Sequence, residues 1–520
     1  MNEISSFEFK KEKLHLLKNH QYGHDRPVVY LIEWKSEIYV WQTVNAFNRS
    51  KQHYDNPDRR RLNKFHIISD HEYNKSSALD IESWLIQYMV ADETFTLQNK
   101  SAWLQNHSYY EREKYKAKFE IIREKLRSMQ LAKKDLQEIR NSDLFKYSPY
   151  KTLTDEQIEI VRNIVKTLQS NNESTTMIHG SPWTGKTILW IYLFKFLLET
   201  KETRHLKIWL VVPMTSLRST VKKVFSSIKW LSGKMVIWPS DVIKQDYDVL
   251  IVDESHRLKK RKNITNYKSF DDVNRKLWLD NSWNELDWIK TSSKHQILLY
   301  DENQSIRPSD ISPKVFNDLN KKEYILTSQQ RVEWGEEYLK YINSIFDHTQ
   351  TFKVDIWNYE FELFESITDF KNKIFEKNNT DKLSRIVAWY ARPWASKKEK
   401  KNYDIIIESE SFRRNSTNLN RVNSPNAINE VWCIHTVQWY DLNYVGVIIG
   451  HEITYNKTTN RIEIVKENYF DKNGKNGIED LEELRRYIIN IYKTLLTRGI
   501  KWTYLYVVDK NLKEYLQQFI

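Results

Sequence analysis

Glycine is scarce in this chain: there are ten in 520 residues, where average usage near 7% would give about 36. So small a supply excludes collagen-like repeats and glycine-rich linkers. Cysteine is scarcer still, with Cys433 alone, which excludes a disulfide framework and fits a reducing compartment. Ten prolines form no proline-rich tract. No stretch approaches about 20 uninterrupted apolar residues, and the opening MNEISSFEFKKEKLH lacks the apolar run of a signal peptide. The expectation is a soluble, cytoplasmic protein without a membrane span.

What is present points elsewhere. Lys and Arg total 81 against 69 Asp and Glu, a net charge of +12, which suits an anionic partner such as nucleic acid. With 40% hydrophobic and 13% aromatic residues the chain can bury a sizeable core. Its length suits three or four domains of about 150 residues each.

Residues 1–26 read as a charged lead-in. After Pro27 the runs VVYLI and EIYV, split by a turn at Lys35 and Ser36, read as a β-hairpin. Leu79, Ile81, Leu85, Ile86 and Met89 recur at helical spacing and close a first domain over 27–105. Residues 109–140 hold no Gly or Pro and mix both charge signs, which predicts a long helix inside a connector over 106–150. Beyond it MIHG, IWLVVP, YDVLIVDE, HQILLYDE and YILTS alternate with helical stretches. That alternation predicts an α/β fold with parallel sheets.

The string Gly180-Ser181-Pro182-Trp183-Thr184-Gly185-Lys186-Thr187 fits G-x-x-x-x-G-K-S/T between a strand and the helical run ILWIYLFKFLLET, the context a phosphate-binding loop needs. Backbone N–H groups and a helix N-terminus would cradle phosphates, Lys186 would reach the β/γ oxygens, and Thr187 would ligate magnesium. An apolar strand then ends in Asp253-Glu254. Asp253 suits the magnesium shell, and Glu254 suits orienting or deprotonating the attacking water. Arg257, Lys259, Lys260, Arg261 and Lys262 follow; they suit a phosphate backbone but read better as a solvated loop.

Further strings occur in order: Thr154-Asp155-Glu156-Gln157, Val211-Val212-Pro213-Met214-Thr215-Ser216-Leu217, Asp301-Glu302-Asn303-Gln304, Thr327-Ser328-Gln329-Gln330-Arg331, Ile434-His435-Thr436-Val437-Gln438 and Leu496-Thr497-Arg498-Gly499. Taken with the phosphate loop they resemble a superfamily 1 helicase, and more closely the Schlafen group 3-like DNA/RNA helicase domain of bacterial NTPases, over about 152–520. The resemblance implies two RecA-like lobes, 151–330 and 331–520, working on ATP and Mg2+. In it Gln157 reads adenine, a role compatible with its place in a Thr154–Gln157 capping box. Gln304 senses the γ-phosphate. Arg331 and Arg498 are arginine fingers that act when a cleft closes. Pro213, Thr215, Ser216, His435, Thr436 and Gln438 contact nucleic acid, DNA more than RNA.

Near the N-terminus, Tyr30, Tyr39, Arg49, His53 and Glu82 form the makings of a metal-assisted phosphodiesterase. Glu82 would bind one divalent ion, Mg2+ or Mn2+, a tyrosine would act on water, and Arg49 would stabilise the pentacovalent phosphate. The plain alternative is that the tyrosines are sheet aromatics and Glu82 a helix-surface acid. Residues 27–105 resemble the GIY-YIG nuclease domain, with Tyr30 and Tyr39 as the motif tyrosines and Asn99 as its late asparagine. Val28 and Trp41 stand in place of the two motif glycines.

Tryptophan, at nineteen, mirrors the glycine deficit. Trp41, Trp183, Trp389, Trp439 and Trp502 stand where the resembled families have glycine. A gene whose UGA codons mean glycine, translated as though UGA meant tryptophan, produces this pattern. The rival is a degenerate tryptophan-rich paralogue, which should also have lost Lys186, Asp253, Glu254 and Arg498; all four are present. The expected activity is an ATP-dependent translocase or helicase coupled to a metal-dependent endonuclease. The alternative is an ATP-driven remodeller or binder whose N-terminal domain does not cut.

Overall fold

The computed structural model describes residues 3–520 apart from 100–110, 152, 171, 182–183, 229–230, 328–334, 355–358, 398, 400, 416–425 and 438–439. The chain forms two compact units, residues 1–163 with 187–204, and residues 164–186 with 205–520.

In the first unit a five-stranded sheet runs in the order Glu3–Glu8, Lys64–Ser69, Val28–Trp34, Glu37–Thr43, Thr96–Leu97. The hairpin is present, with Tyr30 opposite Trp41 and Ile32 opposite Tyr39. Side chains alternate across its faces. Val28, Tyr30, Ile32 and Tyr39 pack with Phe9, Leu17 and Phe65. Val29, Leu31, Ile38 and Val40 pack with Ile81, Leu85 and Met89 of the helix Lys75–Asp92, whose N-cap is Asn74.

Two expectations are corrected here. The first residues are no detached lead-in, because Glu3–Glu8 pairs antiparallel with Lys64–Ser69. Its sequence EISSFE is too polar to announce a strand, as suits an edge position. Nor is 109–140 one helix. Arg112–Ser128 ends, Gln130 takes φ 60°, and two short helices follow, Leu136–Asn141 and Asp143–Lys146. The chain is turned back by Asp92, whose carboxylate pairs with Arg123 and accepts the backbone N–H groups of Lys133 and Lys134. Leu131 and Ala132 are buried at that bend.

The second unit is built on two parallel sheets. The first has the order Lys322–Leu326, Ser174–Gly180, Ser293–Tyr300, Tyr247–Val252, Ile208–Val211, Val236–Ile237, and every pairing in it is parallel. All five strands read from the apolar runs are in it. The second sheet has the order Phe361–Leu363, Gly499–Val507, Leu442–Ile449, Ser384–Ala388, again all parallel. Gly446 lets a helix lie close on this sheet, since a Cβ there would sit 2.7 Å from Phe370. The fold is mixed α/β with parallel sheets, as the alternation predicts. Among the described residues no helix is long and apolar enough to cross a membrane.

Candidate functional site

The phosphate-loop string leaves the C-terminal end of Ser174–Gly180, an interior strand of its sheet. Such strand ends are where open α/β sheets place their ligands. A Cβ on Gly180 would lie 2.4 Å from Thr184 Oγ1, so only glycine fits. Gly185 takes φ 80°, which glycine adopts without steric cost. Lys186 opens the helix Lys186–Glu199. Its Nζ donates to the carbonyls of Gly180 and Ser181 and lies 3.3 Å from Asp301 Oδ2. Ser181 is exposed and Thr187 half-buried. Pro182 and Trp183 lie outside the described residues.

Two neighbouring strands deliver the acids. Tyr247–Val252 leads into Asp253, which is buried and whose Oδ1 accepts the N–H of Glu254 at 3.0 Å. Glu254 holds φ 53°, a left-handed conformation that costs a non-glycine residue about 1–3 kcal/mol unless its surroundings hold it. Its Oε2 is 2.9 Å from Nε2 of His256. Burial pushes its carboxyl up, but His256, Lys186 and Arg498 outweigh that and hold it below the usual range. Glu254 is therefore a carboxylate at neutral pH. The strand Ser293–Tyr300 leads into Asp301, whose Oδ2 accepts from Gln304 Nε2 at 2.7 Å.

From the second sheet, Arg498 precedes the strand Gly499–Val507 and is buried. Burial lowers its guanidinium to about 10, while the charges of Glu254 and Asp301 pull upward. The structure thus brings together Lys186, Asp301, Gln304, Glu254 and Arg498. The sequence readings for Arg331, Gln438 and Trp439 fall outside the described residues. Thr154 and Gln157 form the capping box, with reciprocal bonds of 3.2 and 3.3 Å.

Residues read as touching nucleic acid are spread. Pro213 is buried, Thr215 is exposed at the start of the helix Thr215–Ser227, and Ser216 is half-buried. His435 and Thr436 lie on the short helix Ile434–Val437. Thr436 Oγ1 donates to the Cys433 carbonyl at 2.8 Å. His435 is engaged by Arg307, Nη2 to Nε2 at 2.6 Å. Burial, Arg307, Arg257 and Lys259 keep its imidazole well below the usual range, so it is neutral. Arg307 was not found by motif reading. Asp310, the carboxylate that accepts its N–H at 3.0 Å, lies three residues further on. The basic loop is corrected at Arg257, which is buried and paired with Asp310 at 2.7 Å, while Arg261 is exposed and paired with Asp271.

In the first unit the N-terminal cluster assembles. Tyr30 Oη is 2.5 Å from His53 Nε2. Arg49 donates to Gln52 at 2.7 Å, and its positive charge acts on both Tyr30 and Tyr39. Arg59, absent from the sequence reading, contacts His53 Nδ1 at 2.7 Å and lies 4.0 Å over the Tyr39 ring. Its signal was weak, one arginine in the polar run DRRR. Burial, then Arg59 and Arg49, lowers His53 to about 3. Glu82 is no surface acid: it is buried, and burial raises its carboxyl to about 8 against a backbone hydrogen bond from Gln42. Trp41 stacks on Tyr39 with ring centroids 6.1 Å apart, and Arg49 lies 6.0 Å from its ring. Asn99 accepts the Val40 N–H at 3.0 Å and donates to the Val40 carbonyl at 2.6 Å. It ties down the strand that carries Tyr39.

Comparison with known proteins decides the larger assignment. The profile described as "Schlafen group 3, DNA/RNA helicase domain" matches residues 173–509, more than half of the chain. The chain belongs to this family. The Schlafen group 3 helicase domain includes both parallel sheets and the Lys186, Asp253, Glu254, Asp301, Gln304 and Arg498 positions, while residues 1–172 lie outside the match. An uncharacterized protein of Saccharomyces cerevisiae is 24% identical over 424 residues, covering 70% of this chain and 90% of its own length. A solved Pif1 helicase from Bacteroides, in complex with ADP-AlF3 and single-stranded DNA, is 11% identical with a TM-score of 0.27. It covers 70% of this chain and 94% of its own.

Proposed function

We propose that this helicase-family chain is an ATP-driven nucleic-acid translocase or helicase, acting on DNA more than RNA, with a metal-dependent nuclease site in its N-terminal unit. One observation carries the motor reading. Lys186, Asp301, Gln304, Glu254 and Arg498, drawn from separate strand ends and from both parallel sheets, act electrostatically on one another.

The residues fit a nucleoside triphosphate. Gly180 and Gly185 give the loop a geometry that bulkier residues cannot adopt, and Lys186 is a buried cation otherwise satisfied by loop carbonyls and Asp301. Asp253, with Thr187 next to Lys186 in the chain, would hold Mg2+, which when bound neutralises phosphate charge. Glu254, an anion with one oxygen near His256, orients or deprotonates water. Arg498 supplies positive charge to the transferring phosphoryl group. Arg331 has the same role, Gln157 reads adenine, and Pro213, Thr215, Ser216, Thr436 and Gln438 line the nucleic-acid path. His435 meets that path through Arg307. The test is nucleic-acid-stimulated ATP hydrolysis by the full chain. A Lys186→Ala variant that hydrolyses ATP as fast as the parent sinks the reading.

The nuclease reading rests on the convergence of Tyr30, Tyr39, Arg49, His53 and Glu82, as in the GIY-YIG domain that residues 27–105 resemble. Glu82 offers the one carboxylate for Mg2+ or Mn2+, and at about 8 its proton is readily displaced by a divalent cation. Trp41 favours a second reading, in which the unit binds but does not cut, because its indole occupies space over Tyr39. Glu82→Ala separates the two: loss of Mg2+-dependent cutting with ATPase retained supports cutting, and an identical cleavage blank in both proteins supports binding alone.

A further inference from the structure

We propose that Arg59 is a positioning residue of the N-terminal site, setting the direction of the hydrogen bond between His53 and Tyr30. The inference rests on the nuclease reading of that site. Arg59 Nη1 lies 2.7 Å from His53 Nδ1. A guanidinium has donors and no acceptor, so Nδ1 must be the accepting, unprotonated nitrogen. A neutral imidazole carries one ring proton, which is then on Nε2. Nε2 lies 2.5 Å from Tyr30 Oη. His53 is therefore the donor and the phenol oxygen the acceptor.

The consequence reaches the reacting end of the cluster. The positive charge of Arg49 also acts on Tyr30. With His53 donating to the phenol oxygen, the Tyr30 proton is directed away from His53. Without Arg59 the ring proton could move to Nδ1. Nε2 would then accept, and the Tyr30 hydroxyl would turn toward His53, away from any phosphate or water. Neither ring nitrogen of His53 is left to take a proton from water, so its role is to hold Tyr30. Arg59 is itself held: its guanidinium carbon lies over the Tyr39 ring, 4.0 Å from the centroid. It sits in the turn Pro57–Arg60, where Asn56 caps the N–H of Asp58 at 2.9 Å.

The test uses the full chain, deuterated and labelled with 15N-histidine, with His53 assigned as the signal missing from His53→Gln. Nitrogen chemical shifts give the tautomer directly. The expected result is the Nε2–H form in the parent, a shift toward Nδ1–H in Arg59→Met, and return of Nε2–H in Arg59→Lys. Methionine keeps an unbranched side chain of similar length while removing the donors, and a thermal melt checks that each variant folds. An Nδ1–H parent, or Arg59→Met with the parent's tautomer, overturns the proposal. In Mg2+-dependent cutting, Arg59→Met should lower kcat about 10- to 100-fold with little change in KM, as loss of a supporting partner does, and Arg59→Lys should recover most of it. If the parent cuts nothing, the nuclease reading falls, and the tautomer result still decides what Arg59 does to His53.

Discussion

Arg307 Nη2 lies 2.6 Å from His435 Nε2, so a guanidinium three residues past Gln304 is held by the helix Ile434–Val437. Asp310 secures that segment by accepting the N–H groups of Ile306 and Arg307 and pairing with Arg257. The contact runs from the end of one parallel sheet to the other. Arg307→Ala should therefore weaken the link between nucleotide and strand binding. The expected outcome is a loss of about tenfold in nucleic-acid stimulation of ATPase, a coupling of ordinary allosteric size. Titrating single-stranded DNA into the ATPase assay measures it.

Glu254→Gln should lower ATP turnover by about 10²- to 10⁴-fold, the usual contribution of a positioned proton acceptor, and leave nucleotide binding close to that of the parent. Equilibrium binding of a fluorescent ATP analogue beside the hydrolysis assay distinguishes the two effects. Equal loss of both would place Glu254 in binding instead.

Arg498→Ala should cost more, about 10³-fold or beyond, if its charge meets the transferring phosphoryl group. Single-turnover hydrolysis with saturating ATP is the measurement. A variant within a few-fold of the parent would return Arg498 to a structural role beside Thr494, whose carbonyl accepts its Nε at 3.1 Å.

Glu82 ties stability to pH. Its folded value near 8 stands above the ordinary 4.5, so between those values the folded chain binds a proton that the unfolded chain does not. Stability from this group is complete below about 4.5 and falls as pH rises through about 8. In metal-free buffer the parent should lose up to about 1.4 kcal/mol per pH unit more than Glu82→Gln over that window. Urea unfolding at pH 5 and pH 8 tests this, and a parallel pair of slopes would count against a buried, protonated Glu82.

Mass spectrometry of peptides from the natural source should find glycine at positions 41, 183 and 439. Trp278 gives independent reason: it holds φ 60° with its indole 96% exposed, a backbone that glycine takes freely and a side chain with no packing role. Tryptophan at 183 would predict a chain without ATP-dependent thermal stabilisation.

Much of this was legible in the sequence where local pattern and chemistry coincide. Apolar runs ending in Gly180, Asp253 and Asp301 show both the parallel strands and what stands at their ends. The Tyr30 and Tyr39 pair was legible from the hairpin that carries both and from the resemblance to the GIY-YIG domain, and the hairpin register sets them on one sheet face. What stayed hidden depends on contacts between distant segments. The polar edge strand Glu3–Glu8 is fixed by its partner Lys64–Ser69. The bend after Ser128 is fixed by Asp92, some forty residues earlier. Arg59 and Arg307 gain meaning only through His53 and His435, and arginines in polar runs carry no spacing signal.

The Asn99 amide occupies both peptide groups of Val40, and Thr96–Leu97 pairs alongside Glu37 and Ile38. Together they seal the outer margin of the hairpin strand. A bare margin of that kind would be a template for another extended chain, and this one is apolar and long enough to invite self-association. Asn99→Ala should thus show its first defect as concentration-dependent aggregation of an otherwise folded protein.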